Sequence, residues 1–210
     1  DLFFALRGER YDAHRFLAQA SAAEAGCLVV SNRLGLPYGM PAILVDDTLA
    51  ALHALAAFNR KRSGAIVVGV TGSTGKTTSK DMLAAVLGVR LRTLKTAGNF
   101  NNEIGLPLTL LELDERHDAA VVEMAMRGPG EIDALCRLAG PTGAVITNIG
   151  ETHLEPLGNV SNIASAKGEI LDHISPGGFA LLHAESPFIK REATRCRGKV
   201  VFFGTDRHAG

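Results

Sequence analysis

Residues 65–83 read AIVVGVTGSTGKTTSKDML. The apolar run 65–70 has strand length and lies between Gly64 and Gly72, as expected of a strand covered on both faces. A turn containing Gly72 and Gly75 follows, and a helix is expected from about Lys76. Backbone N–H groups in such a turn and at the helix start converge on phosphate oxygens. Gly72 and Gly75 allow close backbone approach, Lys76 can reach the β and γ phosphates, and the Thr77 hydroxyl can ligate Mg²⁺. The strict phosphate-loop pattern wants a further glycine five positions before Gly75, where Val70 stands instead, with Gly69 one place earlier. The shorter G-x-x-G-K-T core, set between strand and helix, favours a nucleoside triphosphate over an ordinary tight turn with a solvated lysine.

Working outward, the runs AAVVEM, GAVITNI, FALLHA and KVVFFG are near-continuous apolar segments, again suited to buried parallel strands. Helical patterns near residues 76–87, 130–139, 162–174 and 187–195 separate them. This alternation predicts an α/β fold with a doubly wound, mostly parallel sheet and flanking helices. Upstream, LFFAL, a helix-like AHRFLAQASAAEAG, CLVVS, AILVDD and a helix over 48–61 predict a small α/β unit. The short polar segment 60–64 marks the boundary, giving an N-terminal domain over 1–64 and a central domain over 65–210. Ligands of such sheets bind outside the carboxyl ends of the strands, so residues just after the apolar runs carry the most interest.

The 210 residues balance 22 Lys plus Arg against 22 Asp plus Glu, which gives no global field to recruit nucleic acid or an anionic membrane. Any bound anion must be held locally. Cys27, Cys136 and Cys196 are odd in number and lack CxxC spacing, arguing against a disulfide framework or a zinc site and fitting a reducing cytoplasm. No apolar run approaches the ~20 residues of a membrane-spanning helix, and the opening has no export signal. The chain opens on Asp1 and stops soon after an expected strand, so it reads as an excerpt of a longer protein.

Three further residues fall where strand ends or helices would deliver chemistry: Glu123 after AAVV, His153 after GAVITNIGET, and Lys167 within ASAKGEI. Each has a bland alternative: an exposed strand-end carboxylate, a capping or core histidine, and a solvated lysine paired with Glu169 or Asp172. Together they suit a site that must neutralise ATP, because Mg²⁺ prefers oxygen ligands and Glu123 supplies one. Histidine is a less usual Mg²⁺ ligand, and spacing alone gives no reason for its placement. The segment TAGNFNNEIGLPLTLLEL sets Asn99, Asn101 and Asn102 ahead of an apolar helical run, either as a polar loop with a helix cap or as amides lining a cleft.

TGSTGKTT, AGNFNNEIGLP, VVEMAMRGPGEI, ITNIGETHLE and SAKGEI occur in an order that resembles the Mur ligases, a likeness spanning nearly the whole chain. The opening DLFFALRGERYDAHRFLAQASAAEAG is similar to the N-terminal domain of the D-alanyl-D-alanine-adding type. The resemblance implies an ATP-dependent peptide ligase that phosphorylates a substrate carboxylate; an amine then attacks the acyl phosphate. The substrates it implies are UDP-N-acetylmuramoyl-tripeptide and D-alanyl-D-alanine, handled by a cytoplasmic monomer in peptidoglycan precursor synthesis. Carried over, Gly72, Ser73, Thr74, Gly75, Lys76, Thr77 and Thr78 hold the ATP phosphates, Lys76 stabilises the transferring phosphoryl group, and Asn102, with Asn99 and Asn101, borders the site. Thr77 and Glu123 bind a first Mg²⁺; His153 and a carbamylated Lys167 hold a second. The resemblance also implies a third, C-terminal domain beyond this excerpt, without which little ligase activity is expected.

Two rival readings stand beside this one. A folylpolyglutamate synthase or cyanophycin synthetase shares the loop and the metal chemistry, although RGERYDAHRF speaks against both. A non-catalytic phosphate-loop module would leave Glu123, His153 and Lys167 merely structural.

Overall fold

The computed structural model describes residues 1–8, 10–150 and 158–205. The chain divides into two compact units, Asp1–Leu55 and Ala56–Gly210. No helix among the described residues is long and apolar enough to cross a membrane.

The smaller unit contains strands β1 (Leu2–Phe4), β2 (Cys27–Val30) and β3 (Ala42–Leu44), paired in that order and in parallel. Where the sequence suggests one helix over AHRFLAQASAAEAG, there is a 3-10 turn, Ala13–Phe16, and then a short helix α1, Leu17–Ala22. Glu24 ends the helix by adopting φ 60, while Ala25 N–H closes onto the Ala20 carbonyl at 3.1 Å. That is a left-handed C-terminal cap, filled here by a residue other than the usual glycine. Leu17, Ala20, Leu28 and Val30 form this unit's core. Helix α2 (Thr48–Arg62) runs across the division between the units.

The larger unit is built on strands β4 (Ile66–Thr71), β5 (Thr93–Lys95), β6 (Ala119–Glu123), β7 (Gly143–Ile146), β8 (Phe179–His183) and β9 (Lys199–Phe203). They pair in the order β5-β6-β4-β7-β8-β9, every pairing parallel. The helices are α3 (Lys76–Gly88), α4 (Gly105–Leu111), α5 (Glu131–Ala139), α6 (Val160–Asp172) and α7 (Pro187–Glu192). The alternation read from the sequence is thus a doubly wound α/β sheet. The edge strand β5 has no counterpart in the sequence reading, because three residues between Arg92 and Thr96 carry too little pattern.

Side-chain alternation along the strands sorts the two faces. Val68, Val70, Val121 and Val145 pack with Ala84, Leu83 and Leu87 of α3 on one face. Val67, Ala120, Val122, Ala144 and Ile146 pack with residues of α4, α5 and α6 on the other. Gly69 explains how closely α6 approaches: a Cβ there would lie 2.7 Å from Ile170 Cδ1. The bare backbone of the central strand therefore seats α6, and with it Lys167, one turn before Ile170.

Candidate functional site

The carboxyl ends of β4, β6 and β7 and the segment after β5 meet at the start of α3. Beyond β4, Gly72 has φ 146 and Gly75 has φ 77, conformations that side chains other than glycine rarely adopt. Their spatial demands differ. A Cβ on Gly72 would fall 1.9 Å from Thr147 Oγ1, whereas one on Gly75 would meet nothing within 4 Å. Lys76 lies in the first turn of α3 and its ammonium donates to the Gly72 carbonyl at 3.0 Å and the Ser73 carbonyl at 3.4 Å. It is part-buried and turned onto the loop, unlike a freely solvated lysine.

Glu123, the last residue of β6, is only 2% exposed. Its Oε2 accepts from the Thr77 hydroxyl at 2.8 Å, and its Oε1 accepts from Asn101 Nδ2 at 2.8 Å. Its backbone N–H donates to Thr96 Oγ1 at 3.0 Å. Thr77 and Glu123, the two residues expected at a first Mg²⁺, thus lie in direct contact. The pair offers a carboxylate and a hydroxyl on the phosphate-loop helix, a donor set that fits a hard divalent cation such as Mg²⁺.

The asparagines divide their work. Asn101 reaches Glu123, while Asn102 Oδ1 accepts from the N–H groups of Ile104 at 3.2 Å and Gly105 at 2.9 Å, which caps the start of α4. Both line a surface cleft of about 270 Å³ with Glu103, Ala125, Met126, Arg127 and Glu131. The cleft lies beside the end of β6, and the Asn102 side-chain oxygen serves the helix.

Lys167 sits in α6 and is 1% exposed. Burial, and then the charge of Lys76, lowers its pKa from 10.5 to about 8. The bland alternative for this lysine fails, since its suggested partners are engaged elsewhere. Glu169 accepts from the N–H groups of Gly130 at 2.7 Å and Asp133 at 3.0 Å, and Asp172 pairs with Arg195. His153 lies outside the described residues.

Thr147 and Asn148, just past β7, were not singled out by sequence reasoning, yet both bind the phosphate loop. Asn148 Oδ1 accepts from Thr74 N–H at 2.9 Å, and Thr147 Oγ1 donates to the Thr74 carbonyl at 2.6 Å. Their position directly after an apolar strand run was the available signal. Thr96, which follows β5, was missed because that strand was.

Residues 70–210 match the Mur ligase middle domain. The chain is 47% identical over 208 residues to the UDP-N-acetylmuramoyl-tripeptide--D-alanyl-D-alanine ligase of Bacillus subtilis strain 168, covering 99% of this chain and 45% of that protein. It is 44% identical over 185 residues to the Escherichia coli K12 ligase of the same name, covering 88% and 40% respectively. A crystal structure of MurF from Acinetobacter baumannii aligns with TM-score 0.89 at 38% identity, over 97% of this chain and 45% of that one. MurF from Thermotoga maritima, in complex with ADP, aligns with TM-score 0.87 at 34% identity, over 98% and 48%. The chain therefore spans less than half the length of these relatives. On both sequence and structure, the chain belongs to the Mur ligase family.

Proposed function

We propose that these residues form the ATP-binding and part of the substrate-binding portion of a ligase that joins D-alanyl-D-alanine to UDP-N-acetylmuramoyl-tripeptide. The observation that carries this reading is the Thr77–Glu123 contact at the mouth of a phosphate loop, with the buried Lys167 close enough to feel the charge of Lys76. The names of the relatives supply the substrates. We assign residues 1–64 to the UDP-substrate side and 65–210 to ATP and its chemistry.

In this reading the substrate carboxylate attacks the γ-phosphorus of ATP, the bond to the β-phosphate breaks and ADP departs, while Lys76 stabilises the charge on the transferring phosphoryl group. The amine of D-alanyl-D-alanine then attacks the carbonyl carbon of the acyl phosphate, a C–N bond forms, and inorganic phosphate departs. Catalysis of this kind rests on positioning and charge stabilisation. Mg²⁺ at Thr77 and Glu123 would screen repulsion between the phosphate and the incoming carboxylate. Lys167 suits carbamylation: attack on CO₂ requires a neutral amine, and a pKa of about 8 provides one far more often than an ordinary lysine does. The product carries oxygen ligands in place of a cation, so that with His153 it would hold a second Mg²⁺.

The test is phosphate release from ATP by the full-length enzyme, with the two substrates added singly and together. Release only with both is the expected result. Release independent of substrate would transfer the assignment to a nucleotide-binding module without ligase activity.

A further inference from the structure

The phosphate loop is held along one flank by the residues that follow β7. Asn148 contributes three contacts: its carbonyl accepts from Ser73 N–H at 3.1 Å, its Oδ1 accepts from Thr74 N–H at 2.9 Å, and its Nδ2 donates to Thr74 Oγ1 at 2.6 Å. Thr147 N–H donates to the Thr71 carbonyl at 3.0 Å, and its hydroxyl donates to the Thr74 carbonyl at 2.6 Å. Ser73 Oγ donates to the Gly150 carbonyl at 3.1 Å and accepts from Gly150 N–H at 2.9 Å. The absence of a side chain on Gly72 is what admits Thr147 so close.

These contacts occupy the N–H groups of Ser73 and Thr74, two of the donors that a glycine-rich loop would otherwise offer to phosphate. The N–H groups that open α3 have no acceptor within the helix and are the donors left for phosphate. We propose that Asn148 is a positioning residue for nucleotide binding. It divides the loop into a braced half, Gly72 to Thr74, and a phosphate-facing half, Gly75 to Thr78. The inference rests on the nucleotide reading above and deepens it. A loop with two glycines loses much conformational freedom when it orders. With the brace in place that ordering precedes ligand arrival, so binding energy is not spent on it. Only a side-chain amide serves here, because one group must accept from the Thr74 N–H and donate to the Thr74 hydroxyl.

The experiment is calorimetric titration of Mg-ADP into the full-length enzyme: wild type, Asn148→Ala, Thr74→Val, Thr74→Ser and the Asn148→Ala/Thr74→Val double variant. Melting temperature and the KM for D-alanyl-D-alanine are measured alongside. Loss of these hydrogen bonds is expected to weaken ADP binding about tenfold in Asn148→Ala. Thr74→Val should weaken binding too, the double variant should be less impaired than the product of the singles, and Thr74→Ser, which keeps the hydroxyl, should weaken binding less than Thr74→Val does. The KM for D-alanyl-D-alanine should stay within about twofold, since the brace serves the nucleotide alone. A purely structural role would lower the melting temperature while leaving the ADP affinity of the folded protein unchanged, and that result overturns the proposal. Additive effects in the double variant overturn it as well. Should Asn148→Ala not fold, the comparison of Thr74→Val with Thr74→Ser decides alone, since Thr74 is exposed. Absence of ADP binding by the wild type would instead defeat the nucleotide reading itself, and this inference with it.

Discussion

The Lys80 ammonium donates to the Thr96 carbonyl at 2.8 Å from a position only 2% exposed. Thr96 in turn accepts the Glu123 N–H through its hydroxyl. A buried lysine one turn beyond Lys76 thus fixes the end of the edge strand, which fixes the carboxylate. Lys80→Met is expected to strand the Thr96 carbonyl and cost about 1–3 kcal/mol of stability. It should also raise the Mg²⁺ concentration needed for half-maximal ATP turnover. Chemical denaturation and a Mg²⁺ titration check the two effects, and an unchanged midpoint in both would remove Lys80 from this chain of contacts.

Gly72 and Gly75 are expected to respond differently to alanine. Gly75→Ala meets only the conformational cost of a positive φ, about 1–2 kcal/mol. Gly72→Ala adds a clash with Thr147 and should displace the segment after β7 as well as the loop. Melting temperature should fall much further in Gly72→Ala, and Thr147→Ala should restore part of it. Equal losses in the two glycine variants would contradict this account.

Asn101 and Asn102 are adjacent but separable. Asn102→Ala removes a helix cap and should cost about 1 kcal/mol of stability, with the Mg²⁺ dependence of turnover retained. Asn101→Ala frees one oxygen of Glu123 and should shift the Mg²⁺ dependence more than the stability. Thermal melts beside Mg²⁺ titrations of both variants distinguish them.

Lys167 should leave a signature in the pH dependence of stability. Its folded pKa of about 8 lies below the ordinary 10.5, so between these values the unfolded chain binds more protons and stability rises with pH. Below about pH 8 the cost of keeping the ammonium buried is fully present, roughly 3 kcal/mol; it disappears as pH approaches the unfolded value. In Mg²⁺-free, CO₂-free buffer, the unfolding free energy of wild type minus that of Lys167→Met should therefore climb between about pH 7.5 and 10. A flat difference would mean that the amine is not desolvated in the folded state. In the catalytic assay Lys167→Ala should lose turnover, and a short carboxylic acid should restore part of it if it supplies the oxygen ligands of the proposed carbamate.

Much of the larger unit was legible in the sequence because its strands are buried on both faces. AIVVGV and AAVVE announce themselves as apolar runs, and GKTT directly after the first of them locates the loop. Glu123 was legible as the residue that ends such a run. What escaped depended on contacts distant in sequence. Asn148 acts across 74 positions on Thr74, and no local pattern distinguishes an asparagine after a strand that braces a loop from one that is solvated. The split roles of Asn101 and Asn102 depend on where α4 begins, a boundary that composition leaves open by a residue or two. In the smaller unit, the early stop of α1 turns on Glu24 adopting φ 60, a conformation seldom expected of glutamate.

Because the strands of the large sheet run in one direction, the described residues of the candidate site gather at one end, and none of them lies on the opposite rim. Glu115 and Arg116, in the turn between α4 and β6, are exposed on that rim. A fluorophore, an affinity tag or a surface-immobilisation linker attached there would stand a full strand length from the phosphate loop. The polarity of the sheet thus marks where the protein can carry a reporter while its chemistry is watched undisturbed.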